Sequence, residues 1–411
     1  MFGSPRRLNL QLYCTPKTPA RDTLDVWPAL PLFIQGDVSQ TSVDNVIAEL
    51  EHSDRMRALC LNYHTTSRIE TLWTAMQVPF PELVVLYLGF SHAPVLPDSF
   101  LGGSAPCLRY FALASIPFPG LPRLLLSATH LVNLCLWDIP HSGYISPEAM
   151  ATCLSMLTSL EKLQLRFESP ESYPDQESRR PPPPTRSILP ALTHFIFKGV
   201  NEYLEELVSR IDTPRLYQLS TTFFNDIDFD TPELIQFVSR TLTFKAPTEA
   251  RVVFGIFTAW VTLRSQAPSF EEFKAVILSK VPNWQLSSLA QICTSSLPFL
   301  STTENFYVSE NLQSQLDWKN GIENAEWLEL LLPFTAVKNL YLSKQFAPRI
   351  APALQELIGG RATEVLPTLQ NLFLEGFQPS EPIHEGIEQF ISARNLTSHP
   401  VAISVWERDL K

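Results

Sequence analysis

The stretch Leu83-x-x-Leu86-x-Leu88 decides the fold of this chain, because the same spacing of apolar residues returns along most of its length. The last two apolar residues are two positions apart, so in an extended strand both side chains leave on the same face. The other nine occurrences are Met56-x-x-Leu59-x-Leu61, Leu108-x-x-Phe111-x-Leu113, Leu131-x-x-Leu134-x-Leu136, Leu160-x-x-Leu163-x-Leu165, Leu192-x-x-Phe195-x-Phe197, Leu216-x-x-Leu219-x-Thr221, Thr303-x-x-Phe306-x-Val308, Val337-x-x-Leu340-x-Leu342 and Leu369-x-x-Leu372-x-Leu374.

The phrases begin 27, 25, 23, 29, 32, 24, 87, 34 and 32 residues apart, and all but one of these intervals are close to the leucine-rich-repeat period. One such strand cannot bury its apolar face alone, whereas a stack of parallel strands can. The spacing predicts an α/β leucine-rich-repeat solenoid, a single domain over residues 1–411, with parallel strands on one face and helices or loops on the other. The alternative is a set of unrelated amphipathic strands in another α/β fold.

The connections between the phrases carry helix signals. Ser146-Pro147-Glu148 and Thr231-Pro232-Glu233 each place a hydroxyl residue at an N-cap, proline at the first helical position and an acid in the first turn. Apolar residues after Asn201 have helical spacing, and a further helix is expected to stop at Gly359-Gly360. Strands and helices are therefore expected to alternate.

The 87-residue interval has room for two degenerate repeats. Val281-x-x-Trp284-x-Leu286 fits one of them, and the alternation at Val252 and Phe254 fits the other. Two more alternations precede the first clear phrase, and we expect them to begin the stack: Leu8, Leu10 and Leu12, then Leu30, Leu32 and Ile34.

The position three residues past each phrase departs from the regular motif, which has Asn or Cys there. This chain has mostly other residues, from His64 and Ser91 to Gln345 and Phe377. We therefore expect no hydrogen-bonded asparagine ladder, and an irregular curved arc in place of a uniform horseshoe.

Composition restricts the class of function. The 411 residues are 45% hydrophobic and 18% charged, which is typical of a protein with a buried core. The net charge of −11 argues against nucleic-acid binding driven by phosphate neutralisation. No apolar run reaches membrane-spanning length, so no membrane role is expected.

The six cysteines are scattered without C-x-x-C spacing, and no secretory segment is recognised at the amino terminus. Both observations favour reduced thiols and a cytoplasmic or nuclear location. Residues 168–187 contain Arg179-Arg180 before four prolines. We interpret this segment as a surface insertion between two repeats; the alternative is a polyproline-II ligand for an aromatic groove.

No catalytic signature, cofactor loop or metal-ligand spacing occurs among these residues, so no catalytic, cofactor-binding or metal-binding residue is assigned. The closest approach to a site is His141-Ser142-Gly143-Tyr144, a loop with a base and hydroxyl groups. Nothing in its spacing orients a nucleophile, so an enzyme that uses this loop is the less favoured reading.

Function is then expected on the strand face opposite the buried leucines. Aromatic and basic residues alternate with or flank the buried positions, and such residues dominate protein interfaces. The predicted partner-binding residues on this face, expected to be concave, are Tyr87, Tyr110, Trp137, Lys162, Arg166, Lys198, Tyr307, Tyr341 and Phe373. The alternative is that these aromatic rings are covered and serve only packing.

Several phrases are unlike an ordinary repeat consensus. They are Phe2-Gly3-Ser4-Pro5-Arg6-Arg7-Leu8-Asn9-Leu10, Trp27-Pro28-Ala29-Leu30-Pro31, the segment from Ile139 to Glu148, the segment from Arg179 to Arg186, and Trp284-Gln285-Leu286-Ser287-Ser288-Leu289. In these the chain resembles the basidiomycete fungal F-box proteins with irregular leucine-rich repeats. The resemblance implies the substrate-recognition arm of a Skp1-cullin-F-box ubiquitin ligase, without catalysis of its own.

The sequence departs from that family at its start. In the family an F-box of three short helices precedes the segment like Phe2 to Leu10, whereas here only Met1 precedes it. A Skp1-type adaptor is therefore expected as a partner only if an F-box lies upstream of the sequence given, and no Skp1-binding residue can be assigned. The alternative is a free-standing leucine-rich-repeat scaffold or inhibitor. Its protein partner is not identified by the sequence.

Overall fold

The structure is a computed structural model. It describes residues 10–13, 24, 30–39, 42–63, 68–90, 94–172, 185–224, 231–241, 247–265, 272–279, 281–311, 323–358, 361–378 and 384–407. The chain divides into two compact units, residues 1–199 with 209–215 and residues 200–208 with 216–411. A single solenoid over 1–411 stays a prediction. So does the insertion at 168–187, of which residues 173–184 lie outside the described part.

The first unit is built on a parallel sheet. Its strands are β1 (Leu10–Tyr13), β2 (Leu32–Val38), β3 (Met56–Tyr63), β4 (Val85–Phe90), β5 (Tyr110–Ala114), β6 (Asn133–Ile139), β7 (Lys162–Phe167), β8 (Ser187–Ile188), β9 (His194–Gly199) and β10 (Ile211–Asp212). β1 to β7 and then β9 pair in sequence order, and every pairing is parallel. β8 and β10 form a separate parallel pair. The predicted amino-terminal strands are confirmed, although Leu8 lies outside the described residues.

Short helices connect these strands. They are α1 (Val43–Leu50), α2 (Ile69–Ala75), α3 (Leu121–Leu125) and α4 (Pro147–Ser155), with 3-10 turns at Ser53–Arg55, Phe100–Gly103, His141–Gly143 and Pro170–Ser172. The predicted cap of α4 is confirmed, because the Ser146 hydroxyl accepts a hydrogen bond of 3.2 Å from the Ala149 N–H. This bond satisfies one of the free donors at the helix start.

The core of the first unit follows from the repeated phrase. Leu86, Phe111, Leu134, Leu163 and Phe195 are paired in register across five strands, and each is fully buried. Full burial of one such side chain contributes about 1.5–3 kcal/mol of transfer free energy. Each strand buries the apolar face of its neighbour, which is the leucine-rich-repeat arrangement that the spacing predicts.

The second unit contains the other eight strands of the described chain. They are β11 (Gln218–Phe223), β12 (Glu249–Phe254), β13 (Thr258–Arg264), β14 (Glu272–Leu278), β15 (Asn305–Glu310), β16 (Asn339–Leu342), β17 (Asn371–Glu375) and β18 (Ala402–Trp406). Their order in the sheet is β11-β14-β13-β12-β15-β16-β17-β18. β13 is antiparallel to both of its neighbours, and the other pairings between these eight strands are parallel.

The helices of the second unit are α5 (Asn201–Ser209), α6 (Pro232–Arg240), α7 (Pro282–Ser296), α8 (Asn324–Leu331), α9 (Ala347–Gln355) and α10 (Glu385–Leu396), with a 3-10 turn at Pro298–Thr302. α6 to α10 pack on one another in sequence order. α6 begins where Thr231-Pro232-Glu233 predicts, but the Thr231 side chain makes no capping bond. The Glu205 carboxylate of α5 caps α6, with bonds of 2.9 Å from the Glu233 N–H and 2.7 Å from the Leu234 N–H. The predicted stop at Gly359-Gly360 lies outside the described residues.

The long interval between phrases holds the antiparallel strands. Val252 and Phe254 lie in β12 as predicted, but the prediction of a strand at Val281-x-x-Trp284-x-Leu286 is wrong. Pro282 begins α7 there, and Leu286, Leu289, Ala290 and Cys293 continue at helical spacing as its buried face. The apolar spacing of three and then two is compatible with either structure, and the proline decides for the helix.

A buried arginine holds the connection between α9 and β17 together. The side chain of Arg394, in α10, is fully buried, and its guanidinium spans four backbone carbonyl groups. It donates to the carbonyl oxygens of Ala362 (3.1 Å), Leu366 (3.3 Å), Pro367 (3.2 Å) and Leu369 (3.0 Å). Burial lowers the pKa of Arg394 from its ordinary value. Three of these bonds are buried and the bond to Pro367 is partly buried, so the arginine replaces hydrogen bonds that water makes in the unfolded chain.

No helix in the described part of the chain is both long enough and apolar enough to cross a lipid bilayer.

Candidate binding surface

The side chains that alternate with the buried leucines form one face of the strands in each unit, which we call the outer face. In the first unit it carries six of the nine predicted partner-binding residues: Tyr87 (β4), Tyr110 (β5), Trp137 (β6), Lys162 and Arg166 (β7) and Lys198 (β9). In the second unit it carries Tyr307 (β15), Tyr341 (β16) and Phe373 (β17). Arg166 is exposed and the other eight are half-buried. That these residues bind a partner stays a prediction.

Tyr87 and Trp137 are in contact across β5, with ring centroids 5.9 Å apart. The Tyr87 hydroxyl donates to Asn62 Oδ1 at 3.0 Å, and Trp137 Nε1 donates to Gln164 Oε1 at 2.8 Å. Each ring is therefore fixed by one polar partner on an adjacent strand. Both rings keep part of their surface open to solvent, as an interface anchor requires.

Gly89 makes the position of Tyr87 possible. A Cβ atom at Gly89 would lie 2.7 Å from the Tyr87 hydroxyl oxygen and 2.8 Å from Asn62 Oδ1. Both distances are shorter than van der Waals contact permits, so any larger residue would displace the hydrogen-bonded pair.

Small buried residues lie between these rings. Ala112 is fully buried and Cys135 is 2% exposed, although both belong to the outer face. Burial raises the pKa of the Cys135 thiol to about 11, and burial, with the neighbouring Cys135, raises the pKa of Tyr110. Both groups are therefore neutral at physiological pH, so they add no charge to this part of the outer face.

Cationic side chains follow on β7 and β9. The strands are paired so that Lys162 lies opposite His194 and Arg166 lies opposite Lys198. Lys198 Nζ is 3.7 Å from Asp138 Oδ1, and the Glu161 carboxylate opposes the effect of Lys162 on His194. Burial, reinforced by Lys162, lowers the pKa of His194, which favours the neutral ring. The positive charge comes from Lys162, Arg166 and Lys198.

The three predicted residues of the second unit form a continuous stack. The rings of Tyr307 and Tyr341 are 4.1 Å apart at 11°, and those of Tyr341 and Phe373 are 4.4 Å apart at 8°. The stack forms because aromatic residues occupy the same register position in three adjacent parallel strands. The ring faces contact one another within the stack, so the ring edges point out from the outer face.

Two further residues border the stack. The Arg251 guanidinium of β12 lies 4.8 Å from the centroid of Tyr307, and its Nη2 is 3.2 Å from Glu249 Oε1. The Trp406 ring of β18 lies 5.8 Å from Tyr307 and 5.7 Å from Tyr341. Burial, with Tyr341 and Glu249 nearby, raises the pKa of Tyr307. The phenol is thus a neutral hydrogen-bonding group beside a cation.

An asparagine ladder lies beside the stack, and the expectation that no such ladder exists is wrong. Asn339 Nδ2 donates to Asn305 Oδ1 and Asn371 Nδ2 donates to Asn339 Oδ1, each at 2.8 Å. Asn305 Nδ2 is 3.4 Å from the Thr248 carbonyl oxygen. The ladder occupies the first residue of β15, β16 and β17, two residues before each ring of the stack. It links successive strands at a different position from the regular motif.

The His141 loop does not form a reactive constellation among the described residues. His141 Nδ1 is 2.9 Å from the Glu171 carbonyl oxygen, and Ser142 is exposed. In the same part of the chain no group of three or more His, Cys, Asp or Glu side chains could hold a metal ion. The five cysteines that lie in the described residues have free thiols: Cys60, Cys107, Cys135, Cys153 and Cys293.

Sequence reasoning missed the polar partners that fix the aromatic rings. Asn62 and Gln164 lie one strand away from the rings that they bind, and their contacts depend on register between strands about 25 residues apart. The asparagine ladder left a readable signal, since Asn305, Asn339 and Asn371 each stand directly before an apolar-aromatic-apolar triplet. Trp406 and Arg251 gave no comparable signal, because their strands lack the phrase.

Comparisons with known proteins gave the following results. No family model matches the sequence, and no curated protein matches it. A solved structure similar to this chain is that of the leucine-rich repeat-containing protein LegL7 from Legionella pneumophila, which is 12% identical. The match covers 95% of this chain and 98% of that chain, with a TM-score of 0.32. The leucine-rich-repeat fold assigned here follows from strand register and repeat spacing within each unit.

Proposed function

We propose that this protein is a non-enzymatic protein-interaction module that binds its partner through the outer face. The observation that carries the proposal is the stack of Tyr307, Tyr341 and Phe373, which is half-exposed and bordered by Arg251. Aromatic and arginine side chains that are already ordered lose little conformational entropy on binding, so they are effective interface anchors.

We further propose that the module is the substrate-recognition arm of an F-box-type ubiquitin-ligase adaptor. The resemblance of the sequence to fungal F-box proteins supports this role, and so does a surface suited to holding a protein without chemistry of its own. Skp1 would then bind through an F-box, and the outer face would hold the substrate.

Affinity purification of the product of the full transcript tests both proposals. Co-purification of Skp1 and a cullin is expected for the adaptor, together with a substrate that is lost in Tyr341→Ala. Trp284→Ala is the matched control, because Trp284 is an exposed aromatic on helix α7 and belongs to no strand. A partner that depends on Tyr341 but comes without Skp1 would favour a free-standing scaffold or inhibitor. Partners that are insensitive to Tyr341→Ala, and also to Trp137→Ala, would contradict binding through the outer face.

A further inference from the structure

Two rungs of basic side chains stand on β7 and β9 in the first unit. Lys162 and His194 form the rung near the start of the strands, and Arg166 and Lys198 form the rung four residues later. All four residues belong to the outer face, because side chains two and four positions apart along a strand point the same way. At about 3.3 Å per residue the rungs are roughly 13 Å apart.

The surface between the rungs is less polar. Gln164 and Ile196 are paired there, and the Trp137 ring borders them through its hydrogen bond to Gln164. Ile196 and Trp137 are both half-buried, so part of each apolar side chain remains open to solvent. The layout along the strands is therefore a cationic rung, an apolar middle and a second cationic rung.

The charge of this patch contrasts with that of the chain. Lys162, Arg166 and Lys198 place three cationic side chains together on a chain of net charge −11, and Lys198 Nζ lies 3.7 Å from Asp138 Oδ1. Among the described residues, no carboxylate forms an ion pair with Lys162 or Arg166. A complementary ligand is anionic and reaches both rungs at once.

We propose that this patch binds an extended acidic peptide segment with two carboxylates four residues apart and an apolar residue midway between them. An extended peptide repeats at the same rise per residue as β7 and β9, so its residues i and i+4 match the rungs and its residue i+2 meets Ile196 and Trp137. This inference rests on the proposed function and names the chemistry of the partner for the first unit.

The test uses a fluorescein-labelled peptide, Gly-Ser-Thr-Glu-Thr-Leu-Thr-Glu-Thr-Ser-Gly, and the full-length protein in a polarisation titration at low salt. An isomer of equal composition, Gly-Ser-Thr-Glu-Glu-Leu-Thr-Thr-Thr-Ser-Gly, tests the spacing. We expect the first peptide to bind at least about fivefold more tightly than the isomer, and raised salt to weaken it, because charge pairs on a surface are screened.

Charge variants identify the site. Arg166→Glu with Lys198→Glu should weaken binding at least about tenfold, since it replaces attraction by repulsion at one rung. Arg123→Glu with Lys344→Glu is the matched control, because both residues are exposed, neither lies on the outer face, and the change in net charge is the same. Circular dichroism of each variant establishes that it is folded.

Several results would overturn the inference: equal affinity for the isomer, equal weakening by the control pair, or the absence of measurable binding by folded wild-type protein. Tighter binding of an oligothymidylate that is lost in Arg166→Glu with Lys198→Glu would also overturn it and would assign the patch to nucleic acid. The proposed function is judged separately, by whether a co-purified partner depends on Tyr341.

Discussion

The ring of Trp137 reaches over β5 to the ring of Tyr87, with the two ring centroids 5.9 Å apart. Each ring covers part of the other, and both stay partly exposed. Truncation of such a ring loses less packing than truncation of a core residue. Trp137→Ala removes this contact and the hydrogen bond to Gln164, and we expect it to cost about 1–2 kcal/mol of unfolding free energy. Leu134→Ala leaves a cavity in the core and should cost roughly 2–5 kcal/mol.

Chemical denaturation of the two variants makes this comparison. Tyr341→Ala, in the second unit, is compared with the same core variant, Leu134→Ala of the first unit. If the aromatic variants lose as much stability as Leu134→Ala, the rings of the outer face are core packing and not interface anchors.

The asparagine ladder should contribute to stability through its central member. Asn339→Ala removes one donor and one acceptor, breaking both 2.8 Å bonds and leaving Asn305 and Asn371 without that partner. A lost side-chain hydrogen bond costs about 0.5–1.5 kcal/mol, so we expect about 1–3 kcal/mol for the pair.

Asn133→Ala is the matched control, because Asn133 is a half-buried first residue of a strand whose neighbours in register are Tyr110 and Lys162. It should change the unfolding midpoint much less than Asn339→Ala. Equal effects would mean that an asparagine at this strand position matters for local reasons and not for the ladder.

Arg394 should be among the costliest residues to replace in the second unit. Arg394→Met keeps much of the side-chain length but leaves four carbonyl groups without their donor, three of them in buried bonds, and we expect a loss of about 3–5 kcal/mol. Arg361→Met removes a solvent-exposed ion pair with Glu364, whose atoms are 2.6 Å apart, and should cost less than about 1 kcal/mol. The contrast can be measured by urea denaturation. A small effect of Arg394→Met would show that water replaces the guanidinium.

The cysteines should differ in reactivity. Alkylation requires the thiolate, and the raised pKa of Cys135, about 11, keeps that thiol protonated well above neutral pH. Iodoacetamide at pH 8 should therefore modify the exposed Cys107 and leave Cys135 intact while the protein is folded, with Cys135 reacting only as pH approaches 11 or on unfolding. Peptide mass spectrometry after timed alkylation measures both sites, and comparable rates at pH 8 would contradict the burial of Cys135.

The strands with the repeated phrase were predictable because their inner positions are nearly all Leu, Phe, Val or Ile. The phrase at Leu216 was weak yet correct, since β11 pairs in register as a parallel strand. The antiparallel direction of β13 could not be predicted. Partly exposed Trp260 alternates with buried Val261 as in any half-buried strand, and no local residue indicates the direction of the strand. Pro282 is the residue in the segment from Val281 to Leu286 that favours a helix over a strand.

For the candidate surface, the sequence predicts which residues share a face and a row. It does not predict which of their side chains are in contact. Strand alternation places Tyr307, Tyr341 and Phe373 on one face, and equal spacing from the phrase places them in one row. Their stacking could follow only from exact register. The cap of α6 shows most clearly what sequence alone cannot predict. Thr231 is a residue type typical of a cap, yet the capping hydrogen bonds are accepted by Glu205 of α5, 26 residues earlier in the chain.

The reversed strand order within the second unit constrains how that unit can fold. Elsewhere in this unit a strand pairs with the next phrase after about 32 residues, as Asn339 does with Asn371. β11 instead pairs with β14, where Gln218 lies opposite Glu272, 54 residues later in the chain. β12 pairs with β15, where Glu249 lies opposite Asn305, 56 residues later. Repeat arrays add strands by propagation from one neighbour to the next, and such propagation halts here until four strands assemble together. Hydrogen exchange should then show β11 to β14 opening as one cooperative block, with a kinetic boundary at the long interval between the repeated phrases.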